Sequence, residues 1–425
     1  MTEVIEKTEN KKGYKKTKLG WIPEDWEVTK SGKLFYNYSK KNNKQEELLS
    51  VTQDRGVIPR SMVETRIAMP EGSTSSYKLV EKGDFVISLR SFQGGIEYSE
   101  YRGIVSPAYT ILKNNRDISD GYYKQWFKSS EFIARLGVAI IGIRDGKQIS
   151  YEDFSMLPIC YPPLKEQEKI AEILSAWDDG IETLEKLIEQ KEVFHKALMK
   201  NLLVGKKRLA GFSKNSEYKR TRLGQIPADW QIKPLKLLFD KRMQKYSGNT
   251  EHNIFTNSAT KGVVLQNEYF DRSIVTEENT SNYYVVGEND FMYNPRISQS
   301  APAGPINRNK LGITGIASPL YTIFKAKHDT IVDFYEQYFS SNLWNNSMFM
   351  VANQGARHDR LNITSNDFMN MPLPYPPIEE QEKIATVLIE SYKEIQILNS
   401  KLEKLKVQKK GLMQKLLTGQ IRVKV

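Results

Sequence analysis

The chain has 425 residues, 39% of them hydrophobic and 11% aromatic, a net charge of +11 and one cysteine. That length has room for two or three domains with real cores, which excludes a disordered chain. Lone Cys160 excludes an internal disulfide or a cysteine zinc site, no run of about 18 apolar residues offers a membrane span, and the basic excess favours a polyanion such as nucleic acid.

The start, Met1-Thr2-Glu3-Val4-Ile5-Glu6-Lys7, has no apolar signal core, so a cytoplasmic protein is the default. Residues 1–17 read as a basic arm. Lys15, Lys16 and Lys18 suit phosphate contacts, which position a protein without reading sequence. Residues 18–160 read as an α+β domain built mostly on β structure. Asp84–Ser88 and Tyr109–Leu112 are strand-like, and Asp120 to Leu136 is one helical stretch.

Residues 161–204 read as a long helix. It opens Pro162-Pro163-Leu164-Lys165-Glu166-Gln167-Glu168-Lys169-Ile170-Ala171. The prolines end the preceding segment, and carboxylates fill the first turn, where the helix dipole favours them. Ile170, Leu174, Trp177, Ile181, Leu184, Ile188, Lys191, His195, Leu198 and Leu202 follow in steps of four and three, a coiled-coil seam with two polar breaks. Gly205 sits where a C′ residue is expected. Mid-helix Gly180 costs about 1 kcal/mol relative to Ala and is expected to mark a bend.

The whole pattern then returns. Tyr14-Lys15-Lys16-Thr17-Lys18-Leu19-Gly20 comes back as Tyr218-Lys219-Arg220-Thr221-Arg222-Leu223-Gly224, and Ile22-Pro23-Glu24-Asp25-Trp26 as Ile226-Pro227-Ala228-Asp229-Trp230. Gly83-Asp84-Phe85 matches Asn289-Asp290-Phe291, and Gly103–Lys113 matches Gly315–Lys325. So 205–221 reads as a basic linker, 222–374 as a second domain with a helical stretch from Asp333 to Phe349, and 375–418 as a second long helix. That helix opens at Pro376-Pro377 and carries its seam on Ile384, Leu388, Ser391, Ile395, Leu398, Leu402, Leu405, Lys409, Leu412 and Leu416. Residues 419–425 read as a tail. The chain is thus a duplicated unit. A short connector between the first helix and the second domain implies an antiparallel helix pair with a pseudo-two-fold axis, each helix of roughly 60 Å at 1.5 Å per residue.

Catalytic signatures are missing. No P-loop occurs, and His195, His252, His328 and His358 show no metal-ligand spacing. Tyr161-Pro162-Pro163 and Tyr375-Pro376-Pro377 have the wrong order for a Pro-Pro-Tyr methyltransferase site. Phe92-Gln93-Gly94-Gly95 is too weak for a nucleotide loop, and Asp178-Asp179 reads as solvated charge on a helix surface. Binding chemistry is better represented. A first loop, Ser88–Gly95, offers Arg90 and Gln93, and its counterpart around Tyr293–Ser300 offers Arg296 and Gln299. A second loop offers Arg144, Lys147 and Gln148, and its counterpart Arg357, Arg360 and Asn362. Arg and Lys suit guanine edges, Asn and Gln adenine edges. Lys219, Arg220 and Arg222 form the second basic arm.

The doubled order Leu-Gly-x-Ile-Pro-x-Asp-Trp, variable domain, Pro-Pro-Leu/Ile-x-Glu-Gln-Glu-Lys-Ile-Ala, and long helix ending Leu-Met-x-x-Leu-Leu-x-Gly resembles the specificity subunit of a type I restriction–modification system. The resemblance covers nearly the whole chain. It implies two target recognition domains, each reading one half of a split, asymmetric site in double-stranded DNA. It implies a helical spacer, with Ile170, Leu174, Trp177, Ile181, Leu184, Ile384, Leu388, Ile395, Leu398 and Leu402 in the spacer and partner-docking region. It also implies two methyltransferase (modification) subunits and restriction motor-nuclease subunits as partners. S-adenosylmethionine, ATP and magnesium would belong to those partners, and this chain would have no cofactor and no catalysis of its own. The rival readings are a stand-alone DNA methyltransferase or nuclease, or a coiled-coil scaffold with no DNA role.

Overall fold

A computed structural model of the chain describes residues 12–63, 74–139, 149–212, 217–248, 252–269, 280, 282–352 and 359–425. Arg144, Lys147, Gln148 and Arg357 lie outside the described residues. The chain divides into two compact units, Met1–Lys186 with Ser400–Val425, and Leu187–Asn399. Each unit therefore holds one globular domain, the first part of its own long helix and the last part of the other repeat's helix.

In unit one a four-stranded antiparallel sheet runs in the order Phe35–Tyr38, Thr110–Asn114, Phe85–Ile87, Glu97–Tyr98. Successive strand residues face opposite sides, so each strand feeds two cores. Phe85, Ile87 and Leu112 join the helical core with Phe35, Tyr123, Phe127 and Phe132. Val86 and Ile111 join a second core with Leu49, Val57, Val80 and Val105. That second layer is a hairpin, Leu49–Thr52 with Gly56–Pro59, beside the pair Lys78–Val80 and Gly103–Val105.

Unit two repeats the plan. Its sheet runs Phe239–Lys241, Thr322–Ala326, Phe291–Tyr293, Ile306–Arg308. Phe291, Tyr293 and Phe324 face the helical core, and Met292 and Ile323 the other. Here the second layer closes into one four-stranded sheet, Gly262–Leu265, Asn253–Ser258, Gly315–Ala317, Tyr284–Val286.

Each helical stretch expected as one element is two. Asp120–Trp126 and Ser130–Ala139 are separated by a turn at which the Ser129 hydroxyl accepts from the Phe132 amide at 3.2 Å. Val332–Ser340 and Asn345–Val351 are separated at Ser341, whose hydroxyl accepts from the Leu343 amide. Short hydroxyl side chains give the backbone a local partner that competes with helix.

The long helices span Leu164–Leu202 and Ile378–Leu417. Every seam position named from the sequence is buried or half-buried. Within each unit the paired segments run antiparallel. In unit one Asp178 meets Lys409 and Glu185 meets Lys406; in unit two Lys191 meets Glu394 and His195 meets Ser391. Ile170, Leu174, Leu184, Ile384, Leu388, Ile395 and Leu402 are buried, so these seam side chains serve packing. Asp178 is no bare solvated charge, since it accepts from Lys409 Nζ at 2.5 Å and from Gln125 Nε2 at 2.7 Å. The first helix runs unbroken through Gly180, which stands in open space.

Candidate nucleic-acid interface

The shared motifs meet at one joint in each unit. In unit two the Arg208 guanidinium donates Nε and Nη2 to Glu380 at 2.9 and 2.6 Å, and Nη1 and Nη2 to Asp229 at 2.9 and 2.8 Å. Trp230 Nε1 donates to the same Glu380 at 2.9 Å. Unit one repeats this: Arg422 grips Glu166 at 2.7 and 2.8 Å and Asp25 at 3.0 and 2.7 Å, while Trp26 Nε1 donates to Glu166 at 2.8 Å. The carboxylates raise the pKa of both arginines, by hydrogen bonding first and charge second.

Gly205 and Gly419 close each joint at φ of 68° and 70°. A Cβ on either would stand 2.5 or 2.4 Å from the Cδ of Pro227 or Pro23. Close approach as well as the left-handed turn therefore selects glycine. The joint thus joins the Ile-Pro-x-Asp-Trp motif, the start of one helix and the end of the other.

The two arms are not free segments where they are described. Tyr14–Thr17 pairs with Gly20–Pro23, and Tyr218–Thr221 with Gly224–Pro227. Tyr14 and Tyr218 donate their hydroxyls to the carbonyls of Gly419 and Gly205. Lys15 and Lys219 each donate to a loop carbonyl, Glu24 and Ala228, at 2.8 Å. The tail is likewise held, through Arg422. Lys16, Lys18, Arg220 and Arg222 remain exposed on these hairpins.

Away from the joint, each unit has a cleft. In unit one it measures about 580 Å³ and is lined by Thr52, Gln53 and Asp54 from the hairpin, by Ser88 and Arg90 from the first loop, and by Tyr109. In unit two it measures about 350 Å³ and is lined by Ser258, Ala259, Asn294, Arg296, Tyr321 and Arg360 among others. The walls correspond. Arg90 and Arg296 stand 206 positions apart, as do Gln93 and Gln299, so both units present the same two side chains from the same loop. All four are exposed, and neither guanidinium has an ion pair among the described residues. Elsewhere arginines are committed: Arg308 holds Asp333 and Glu336, and Arg242 holds Asp290.

In unit two the sequence's two loops come together. Arg296 and Arg360 form a backbone bridge, and Leu361 N donates to the Pro295 carbonyl at 3.0 Å. Exposed Asn362 follows on the same segment. In unit one the matching second loop is outside the described residues. The first loop is instead braced from below by Lys128, which donates to the carbonyls of Gln53 and Gly94 at 3.0 and 2.9 Å and to Glu97 at 2.5 Å. Burial pushes the Glu97 carboxyl pKa up, and Lys128 opposes it.

Sequence reasoning missed two features. Arg208 and Arg422 each follow their glycine by three residues, a repeat visible in Gly205-Lys206-Lys207-Arg208 and Gly419-Gln420-Ile421-Arg422. The hairpin walls were also legible as Thr52-x-x-x-Gly56 and Ser258-x-x-x-Gly262. Among the described residues no cluster of His, Cys, Asp and Glu could hold a metal, and no helix is long and apolar enough to cross a membrane.

A family model described as "Type I restriction modification DNA specificity domain" matches residues 3–192 and 227–407. The chain is similar to the type I restriction enzyme MjaVIII specificity subunit of Methanocaldococcus jannaschii, with 27% identity across 95% of this chain and 94% of that one. Its fold is similar to a solved chain from work on complex assembly and conformational transition of the type I restriction–modification system, with TM-score 0.55, 15% identity and coverage of 94% and 99%. It is also similar in fold to the type I S subunit from M. genitalium, with TM-score 0.50, 14% identity and coverage of 92% and 96%.

Proposed function

The chain belongs to the type I restriction–modification DNA specificity family and is a DNA-recognition subunit; from that premise we propose that each unit reads one half of a bipartite, asymmetric site through its cleft. The observation that carries this is the repeated cleft lined by an uncommitted arginine at matching positions, with an exposed glutamine three residues further on in each loop. Arginine can grip guanine or phosphate, and glutamine can read adenine. The domains at 18–160 and 222–374 are the target recognition domains, and the helices at 161–204 and 375–418 are the spacer. Lys16, Lys18, Arg220 and Arg222 add phosphate contacts.

The chain is a non-catalytic subunit. Methyl transfer and DNA cleavage belong to modification and restriction partners, with two modification subunits in the assembly, one for each half-site. S-adenosylmethionine, ATP and magnesium are held by those partners in the cytoplasm. A labelled methyl donor incubated with DNA and the chain alone is expected to transfer nothing, and to transfer once modification subunits are added. Sequencing the methylated bases is expected to give two unlike half-sequences around a fixed gap. Transfer by the chain alone, or a single continuous site, would overturn this reading. Arg90→Ala with Arg296→Ala is expected to weaken specific binding at least tenfold, and unchanged affinity would show that the clefts do not face DNA.

A further inference from the structure

The clefts share one wall and differ in the other. The shared wall carries Arg90 or Arg296, with exposed Gln93 or Gln299 three residues further on in the same loop. The other wall is the tip of a hairpin closed by pairing of Thr52 with Gly56 in unit one and of Ser258 with Gly262 in unit two. These tips are strict counterparts, 206 positions apart, and both glycines take a left-handed φ, 72° and 73°. Yet the residues between them are unlike: Gln53-Asp54-Arg55 against Ala259-Thr260-Lys261. From this we infer that these two tips are the half-site specificity determinants, each choosing bases that the shared Arg and Gln cannot distinguish between units.

The backbone of each tip is held by a hydroxyl. Thr52 Oγ1 donates to the Gly56 carbonyl at 3.0 Å and accepts from the Arg55 amide at 3.2 Å. Ser258 Oγ accepts from the Thr260 and Lys261 amides at 3.3 and 3.2 Å. Lys128 also holds the Gln53 carbonyl. All six tip side chains are nevertheless exposed, although Gln53 Nε2 donates to the Arg90 carbonyl at 3.4 Å, Arg55 Nη2 to the Met62 carbonyl at 3.1 Å, and the Lys261 ammonium lies over the Tyr269 ring.

The chemistry of the tips differs in kind. Asp54 is exposed and takes no hydrogen bond or ion pair among the described residues. A carboxylate in a DNA-facing cleft is repelled by phosphate, so its favourable target is a base-edge donor. Aspartate accepts from the cytosine amino group, and glutamine pairs with adenine. The unit-one tip therefore suits a cytosine or adenine edge. The unit-two tip offers the Ala259 methyl for a thymine methyl and the Lys261 ammonium for guanine.

The inference rests on the cleft reading above. The test uses the full chain assembled with modification subunits on a random-sequence duplex library, with methylated sites sequenced. Asp54→Asn keeps the volume and exchanges an acceptor-only group for an amide that pairs with adenine. It is expected to change the preference at one base pair of one half-site, from cytosine towards adenine, with at least a tenfold loss of discrimination, and to leave the other half-site unchanged. Replacing 259–261 with Gln-Asp-Arg is expected to alter only the opposite half-site. If both half-sites stay unchanged while Arg90→Ala and Arg296→Ala weaken binding, the tips are not determinants and the clefts still face DNA. If the arginine variants also bind normally, the cleft reading fails and takes the inference with it. Should the graft fail to assemble, the Asp54→Asn result alone decides.

Discussion

Arg208→Ala should uncouple unit two more severely than Arg422→Ala uncouples unit one, although the two clamps have the same wiring. The difference lies in water. The Arg208 side chain is 5% exposed and Glu380 is fully buried, whereas Arg422 is 39% exposed over a buried Glu166. Removing Arg208 leaves the Glu380 carboxylate with the Trp230 indole and the start of its helix as support. Breaking a buried pair in this way costs about 3–5 kcal/mol. At about 2–4 °C per kcal/mol for a unit of this size, the melting temperature should fall by roughly 6–20 °C. Water can reach the other clamp, so Arg422→Ala should cost only about 1–2 kcal/mol. Differential scanning calorimetry of the full chain reads both. Adding Glu380→Gln to Arg208→Ala should recover at least about 1 kcal/mol, because the orphaned charge is removed while the indole keeps an acceptor. A loss below 1 kcal/mol for Arg208→Ala, or no recovery in the double variant, would refute the argument.

Three further outcomes follow from the helices. Gly180 is helical, exposed and in open space, so Gly180→Ala should stabilise by about 0.5–1 kcal/mol in denaturant melts. Gly419→Ala meets Pro23 and a left-handed φ; it should destabilise by about 1–3 kcal/mol or more, measured the same way. Burial holds the His195 imidazole below its usual pKa of 6.5. As pH falls below 6.5, the unfolded chain takes that proton first, so this contribution to stability is complete above 6.5 and is lost as pH falls towards the folded value. His195→Leu should flatten this part of the pH–stability curve, and an unchanged slope would count against it.

Much of the fold was legible because duplication prints it twice. The seam was read correctly from its four-three spacing, since period alone decides which helix face is buried. The breaks at Ser129 and Ser341 were not read, because a helical period continues across them while a local hydroxyl contact decides the backbone. Lys409 was read as a seam residue, but its partner Asp178 was assigned to solvent. The partner is 231 positions away, and no local pattern carries a contact of that separation. In the clefts, Arg90 and Arg296 were singled out by loop composition, yet Gln53 and Asp54 were passed over. They look like ordinary turn residues until the fold sets them across from Arg90.

The two kinds of repetition place different constraints on the chain. At the joints, Trp, Asp, Glu, Gly and Arg are the same in both units because each group satisfies another: the indole and guanidinium share one carboxylate, and the glycine lets a proline approach. Change one and a buried partner is left unsatisfied. At the hairpin tips the backbone is held by Thr52 or Ser258 and by a glycine, while the intervening exposed side chains make only surface contacts, Gln53 and Arg55 to the carbonyls of Arg90 and Met62 and Lys261 over the Tyr269 ring. Those positions can vary at little cost to folding. A recognition protein needs this division, in which the reading surface can change without the frame that presents it. Substitutions at 259–261 should therefore move stability by less than about 0.5 kcal/mol, the ordinary range for surface positions. A loss comparable to that of Arg208→Ala would show that the tips belong to the frame.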